Sequence, residues 1–235
     1  MGQSYFIWKN IDCRAMGCRL DGPAPIIRPE ERAEHITIPG RSGDLTMLEG
    51  ENIFNSYIQT VTMMVHGGAR VRKIYDWLRG SGYVTFSGEP DKRQEARVIG
   101  AITLNKHSYN LDWWEGEVQF YCQPLKELLQ AKTQTVAING TVVNTGDVDE
   151  YPVITVTPSA ASCTVSVNNR IFTISGQSGT QVKIDCGAGI MYNPLTNSDL
   201  TKYTIGKFPK LDPGSNTLTG SGWSSLTLER KERFL

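Results

Sequence analysis

The residues best suited to chemistry lie around Glu115 and Glu117, which stand two apart next to Trp113 and Trp114. On a strand this spacing puts both carboxylates on one side, roughly 7 Å apart, within the loose range of an inverting glycosidase pair. Carboxylates from one strand seldom face each other across a substrate, however, and two glutamates on a polar strand face are ordinary, so the pair reads as a solvated surface. Cys13 and Cys18 could be combined with His35 or His66 as a zinc site, but no second closely spaced ligand pair completes it. Gly176-Gln177-Ser178-Gly179 falls one residue short of a nucleophile elbow and reads as a hairpin turn. No glycine loop precedes a Lys-Ser or Lys-Thr pair, and no Gly-x-Gly-x-x-Gly opens a helix. The expectation is a chain with no catalytic residues, no metal and no cofactor.

Composition points the same way. In 235 residues, 24 Lys and Arg balance 24 Asp and Glu, so neither nucleic acid nor an anionic membrane is the expected main partner. No apolar stretch approaches the roughly 20 residues that cross a bilayer, and the start, MGQSYFIWKN, does not read as a secretory signal. Five scattered cysteines, Cys13, Cys18, Cys122, Cys163 and Cys186, are an odd number and are expected to be free, buried thiols in a reducing compartment.

The elements that would carry such residues are mostly strands. Ala33 to Ile38 reads as a strand entering a long exposed loop, Pro39 to Asp44, and Tyr57 to Val65 as a β-branched strand. Val71, Ile74, Tyr75 and Leu78 fall at i, i+3, i+4 and i+7, which predicts the one convincing helix, ended by Gly80 and Gly82. Arg70, Arg72, Lys73 and Arg79 form its other, solvated face. Strands follow at Tyr83 to Phe86, Arg97 to Leu104 and Glu115 to Cys122, and a domain boundary fits near residues 124 to 134. Beyond it, Thr135 to Ile138 and Thr141 to Asn144 flank Asn139-Gly140, which suits a two-residue hairpin. Further short strands at Val153 to Thr157, Cys163 to Val167, Ile171 to Ile174, Gln181 to Asp185 and Leu226 to Leu228 predict an antiparallel sandwich. Tyr192, Tyr203 and Trp223 are candidate glycan-stacking residues there, although aromatics in a sandwich are more often core.

Four segments taken in order carry a resemblance. They are Ile38-Pro39-Gly40-Arg41-Ser42-Gly43-Asp44-Leu45, Phe120-Tyr121-Cys122-Gln123-Pro124, Tyr151-Pro152-Val153-Ile154-Thr155-Val156, and the ending from Gly214 to Gly222 with Leu226-Thr227-Leu228 and Arg230 to Leu235. Together they resemble the siphovirus tail protein family, whose members are called distal tail proteins. The resemblance implies a mainly β chain. Residues 1-130 would form an N-terminal ring-forming hub domain, tail-tube-like with one α-helix, and residues 131-235 a galectin-like antiparallel β-sandwich. It further implies a structural, non-enzymatic protein in a hexameric ring, alone or as back-to-back rings, at the distal end of the phage tail. Its partners would be its own copies, the tail tube protein, a tail-tip hub or fibre protein and a receptor-binding protein, with DNA only passing through the channel. Synthesis would be in the bacterial host cytoplasm. The sequence departs from many relatives around Arg41 to Asp44, and its compact second domain carries no long insertion.

A closed ring needs a heterologous interface, and glycine loops and free sheet edges are natural material for one. Ile36, Ile38, Pro39, Gly40, Arg41, Ser42, Gly43 and Asp44 are therefore the candidate subunit interface. Phe234 and Leu235, apolar at the chain end, are the candidate interdomain contact. The alternative from another class is a carbohydrate-binding tail or cell-wall module that uses the second domain.

Overall fold

The computed structural model describes residues 4–107 and 112–235. The chain divides into two compact units, Met1–Leu129 together with Leu235, and Gln130–Phe234. The first contains β1 (Phe6–Trp8), β2 (Ile11–Asp12), β3 (Cys18–Leu20), β4 (Ala33–Thr37), β5 (Asp44–Leu48), β6 (Tyr57–His66), α1 (Gly68–Trp77), β7 (Ser81–Phe86), β8 (Lys92–Ile99), β9 (Leu104–Lys106) and β10 (Trp113–Leu128). Seven of these strands form an antiparallel sheet in the order β2-β1-β7-β8-β10-β6-β3, with β9 alongside β10. Alternation sets the inward face: Val61, Met63 and Val65 on β6 and Val118, Phe120 and Cys122 on β10 are buried.

Aromatic packing docks α1 on that face. Phe6 stacks on Trp77 with ring centroids 5.5 Å apart, and Phe120 meets Phe6 edge-on at 5.4 Å. The two indoles satisfy each other's backbone: Trp8 Nε1 donates to Trp77 O at 3.1 Å, and Trp77 Nε1 to Trp8 O at 3.2 Å. Such reciprocal pairing lets both polar ring nitrogens be buried without an unmet donor.

β10 runs through Pro124, past the point where a strand is expected to end. Proline has no N–H to give a ladder, and the pairing of β10 with β8 duly shifts between Cys122 and Lys126. The carbonyl freed at Gln123 accepts instead from the buried Gln94 side chain, which also bonds the Tyr57 hydroxyl at 2.8 Å. The strand expected from Arg97 to Leu104 is two strands: β8 starts earlier and ends before Gly100, whose φ of 72° breaks it.

The second unit contains β11 (Lys132–Ala137), β12 (Thr141–Asn144), β13 (Val153–Val156), β14 (Ser162–Val167), β15 (Arg170–Ser175), β16 (Val182–Asp185), β17 (Ile190–Tyr192), a single 3-10 turn (Thr201–Tyr203), β18 (Thr204–Gly206), β19 (Gly214–Ser221), β20 (Ser225–Arg230) and β21 (Arg233–Phe234). Two five-stranded antiparallel sheets, β11-β20-β13-β16-β17 and β12-β19-β14-β15-β18, enclose one core. Ile154, Val165, Phe172, Ile184, Leu218 and Leu226 fill it. Asn168 and Asn169, both at positive φ, turn β14 into β15 as a two-residue hairpin turn requires.

Two turn expectations need correction. Asn139-Gly140 is not a hairpin turn, because β11 pairs with β20 in one sheet and β12 with β19 in the other. It is the corner where the chain changes layers. Gly176-Gln177-Ser178-Gly179 likewise links β15 in one sheet to β16 in the other, with no strand-to-helix elbow. Sequence chemistry identifies a tight turn at both places, but the partner of the following strand is set by the sandwich.

Candidate functional site

β4 and β5 form a two-stranded arm that belongs to none of the three larger sheets. Each pairs only with the other, from Ala33↔Leu48 to Thr37↔Asp44, and each leaves an outer edge unpaired among the described residues. The Pro39 to Asp44 segment is thus the tip of a hairpin and not a free loop, and β5 is a strand the sequence reading does not anticipate. Gly40 and Gly43, both at φ 80°, make the tip possible. Thr37 Oγ1 donates to Asp44 Oδ1 at 2.8 Å, and His35 Nδ1 meets Thr46 Oγ1 at 3.1 Å. At the base, Arg32 N donates to Ile53 O and Asn55 N to Glu30 O, while the buried Phe54 anchors the returning chain.

The register gives the arm one apolar face. Ile36 lies opposite Leu45 and Glu34 opposite Met47, so Ile36, Leu45 and Met47 share a side. No residue of β5 is buried: Leu45 is 40% exposed, Met47 51% and Leu48 59%. Ile38, at the start of the tip, is exposed as well. An isolated two-stranded ribbon is marginal in water, and an amphipathic one with nothing on its apolar face gains most by covering that face. Of the expected interface residues, Ile36, Ile38, Pro39, Gly40, Arg41, Ser42, Gly43 and Asp44 all stand on this arm. Leu45, Met47 and Leu48 join them, and the alternation Leu45-Thr46-Met47 is the signal that could have found two of the three.

Beside β3 and α1 the same unit has a basic groove of about 440 Å³, lined by Arg14, Arg19, His66, Arg70 and Trp113 with Gly17 and Cys18. The Arg19 guanidinium lies over the Trp113 ring at 5.7 Å, and His66 packs on the same ring at 4.9 Å. Arg14 is clamped by Asp12 and stacked 4.0 Å from the Tyr5 ring centroid, and its guanidinium holds the Asp12 carboxyl below the usual range. Asp112 accepts from the first helical N–H, Gly68 N, through both oxygens at 2.9 and 3.0 Å. That bond, with a second from Trp114 Nε1, also lowers the Asp112 carboxyl.

Glu115 and Glu117 line a separate, open cleft of about 730 Å³ with Asn105, Lys106 and His107. Glu115 Oε2 lies 3.4 Å from His107 Nδ1, and among the described residues no carboxylate besides these two glutamates lines the cleft. Cys13, Cys18, Cys122, Cys163 and Cys186 are all buried and unbridged. Burial pushes the Cys18 and Cys122 thiols up to about 12 and Cys163 to about 11, so they are poor ligands and nucleophiles. Among the described residues no three His, Cys, Asp or Glu side chains are grouped to hold a metal.

In the second unit the glycan-stacking expectation fails for Trp223. It is 4% exposed, and its Nε1 donates to Thr164 O at 2.7 Å, so its ring faces are spent on the core. Tyr192 is half-buried on β17, and Tyr203 lies exposed on the 3-10 turn with Lys202 over its ring at 5.0 Å. Phe234 and Leu235 are both half-buried, and Leu235 belongs to the compact unit that holds Met1–Leu129.

A helix-bearing antiparallel sheet with a two-stranded arm, followed by a two-sheet sandwich, is a fold similar to that of a solved phage protein. One such solved structure is SPP1 Dit, described as a paradigm of the hub adsorption apparatus in phages that infect Gram-positive bacteria. The two chains are similar over 100% of both lengths, with a TM-score of 0.80 and 18% sequence identity. No protein-family profile and no curated protein sequence matches the chain.

Proposed function

We propose that the chain is a distal tail protein: a structural subunit of a ring, hexameric and able to pair back-to-back, at the distal end of a phage tail tube. The ring would connect the tube to the tail-tip adsorption apparatus and surround the channel through which DNA passes. Its neighbours would be the tail tube protein on one side and a tail-associated hub or fibre protein on the other, with a receptor-binding protein beyond. The protein would be made in the bacterial host cytoplasm and act in the virion. A galectin-like sandwich on residues 131-235 would project from a ring built by residues 1-130.

The observation that carries this reading is the arm. An amphipathic ribbon with two unpaired edges and an open apolar face is material for a heterologous, ring-closing contact with a second subunit. Covering Ile36, Ile38, Leu45 and Met47 from their half-exposed state contributes on the order of 3–6 kcal/mol per contact. The fold likeness to a phage hub protein supplies the setting. Sedimentation velocity at high micromolar concentration should show a ring-sized species, and Leu45→Asp with Met47→Asp should reduce it to monomer with unchanged circular dichroism. A chain that stays monomeric at all concentrations, without rings in negative-stain images, defeats the proposal.

A further inference from the structure

The charges of this neutral chain are unevenly placed. Residues 30 to 51, which include the arm, hold six carboxylates, Glu30, Glu31, Glu34, Asp44, Glu49 and Glu51, against Arg32 and Arg41, a net of −4. Among the described residues their one ion pair is Arg32 with Glu49, at 3.6 Å and exposed to solvent. The groove beside α1 has the opposite sign. Arg14 is matched by Asp12, but among the described residues neither Arg19 nor Arg70 has a carboxylate within 4 Å. Arg72 and Lys73, both exposed, add basic charge along α1, and Asp76 is taken by Arg79 at 3.8 Å.

We propose that the basic groove of one copy, centred on Arg19 and Arg70, receives the acidic arm of a second copy. This rests on the reading that the chain assembles into rings, and names the surface on which the arm closes. Guanidinium groups bind carboxylates through paired, planar hydrogen bonds, and Arg19 is already oriented by the Trp113 ring. Among the described residues no arm residue lines the groove of its own chain, so an arm that fills it belongs to a second copy. A head-to-tail contact between an acidic arm and a basic groove uses two different surfaces of each subunit, as closure by rotation demands. Duplex DNA fits less well: Asp12, bonded to the lining residue Arg14, adds a negative charge at the groove that a continuous phosphate backbone would meet.

Charge exchange tests the pairing in the full chain, with ring mass and association constant read by sedimentation velocity. Arg19→Glu with Arg70→Glu should weaken association about tenfold or more, and so should Glu31→Lys with Glu34→Lys. The four together should restore at least part of the loss, which misfolding cannot do, and near-native circular dichroism is expected throughout because all four side chains are exposed. If the Arg19/Arg70 variant assembles like the unmodified chain while Leu45→Asp with Met47→Asp abolishes rings, the groove is not the receiving surface and the ring reading stands. Loss without rescue in the fourfold variant also overturns the pairing. Duplex DNA binding that disappears in the Arg19/Arg70 variant while rings persist assigns the groove to DNA and overturns it. An unmodified chain that forms no ring overturns the ring reading, and this proposal with it.

Discussion

At the scale of single residues, the least legible feature is the buried ion cluster in the second unit. Arg230, Glu150 and Glu232 are all nearly inaccessible. Arg230 Nη2 donates to Glu150 Oε2 at 2.8 Å, to Glu232 Oε1 at 3.1 Å and to Val143 O at 3.0 Å. Burial pushes the Glu150 carboxyl up against the pull of Arg230. Burial also raises Glu232, but Lys132 and Thr145 outweigh it and hold that carboxyl below the usual range. Arg230→Met leaves two buried carboxylates without their shared cation and should destabilise the second unit by about 3–5 kcal/mol at pH 7, measured by urea denaturation. A group raised in the folded state favours folding below its unfolded value and opposes it above. The deficit of the variant should therefore shrink as the pH falls, because Glu150, raised by burial, then takes up a proton and no longer needs Arg230. In the sequence, Arg230-Lys231-Glu232-Arg233 reads as an alternating charged end. Inward-pointing charges at i and i+2 look identical to solvated ones until Glu150, 80 residues away, is placed between the layers. Trp223 was equally ambiguous as a type, and its bond to Thr164 decides it for the core.

At the scale of elements, periodicity locates strands with a buried face and misses those whose residues are small or polar. β6, β10, α1, β14 and β15 follow their apolar patterns. β19 does not, because Gly214-Ser215-Asn216-Thr217-Leu218-Thr219-Gly220-Ser221 offers one large apolar residue in eight. Its logic is close approach. A Cβ on Gly220, at φ 153°, would overlap the Thr164 carbonyl oxygen and come within 2.8 Å of Trp223 Nε1. The glycine thus leaves room for the indole to reach that carbonyl. Gly220→Ala should cost about 1–3 kcal/mol by overpacking, and near-ultraviolet circular dichroism should show Trp223 displaced. A variant with an unchanged melting temperature and unchanged tryptophan signal shows that β19 can shift to absorb the methyl group. β5 was missed for a different reason: none of its residues is buried, and the alternation Leu45-Thr46-Met47 is too short to mark a strand until its pairing with β4 is seen.

At the scale of the whole molecule, the balance of 24 basic and 24 acidic residues conceals a division of labour between two surfaces. Net charge gave no sign of a nucleic-acid surface, but it could not show that acids gather on an arm and that, among the described residues, arginines without a carboxylate partner gather in a groove. That arrangement depends on β3, β6, α1 and the arm being folded. If arm and groove meet between copies, long-range attraction and short-range apolar burial act on different steps of assembly. Opposite charges speed the encounter and are screened by salt beyond about 10 Å at 0.1 M, whereas burial of Ile36, Leu45 and Met47 governs how long the contact survives. Raising ionic strength from about 0.05 to about 0.5 M should therefore slow ring formation roughly tenfold or more, followed by light scattering after a concentration jump, with little change in the dissociation rate on dilution. Leu45→Asp should do the reverse, raising dissociation while leaving the salt dependence of formation in place. Equal salt effects on both rates, or none on either, would mean that the acidic arm does not steer the subunits together and that apolar contact alone closes the ring.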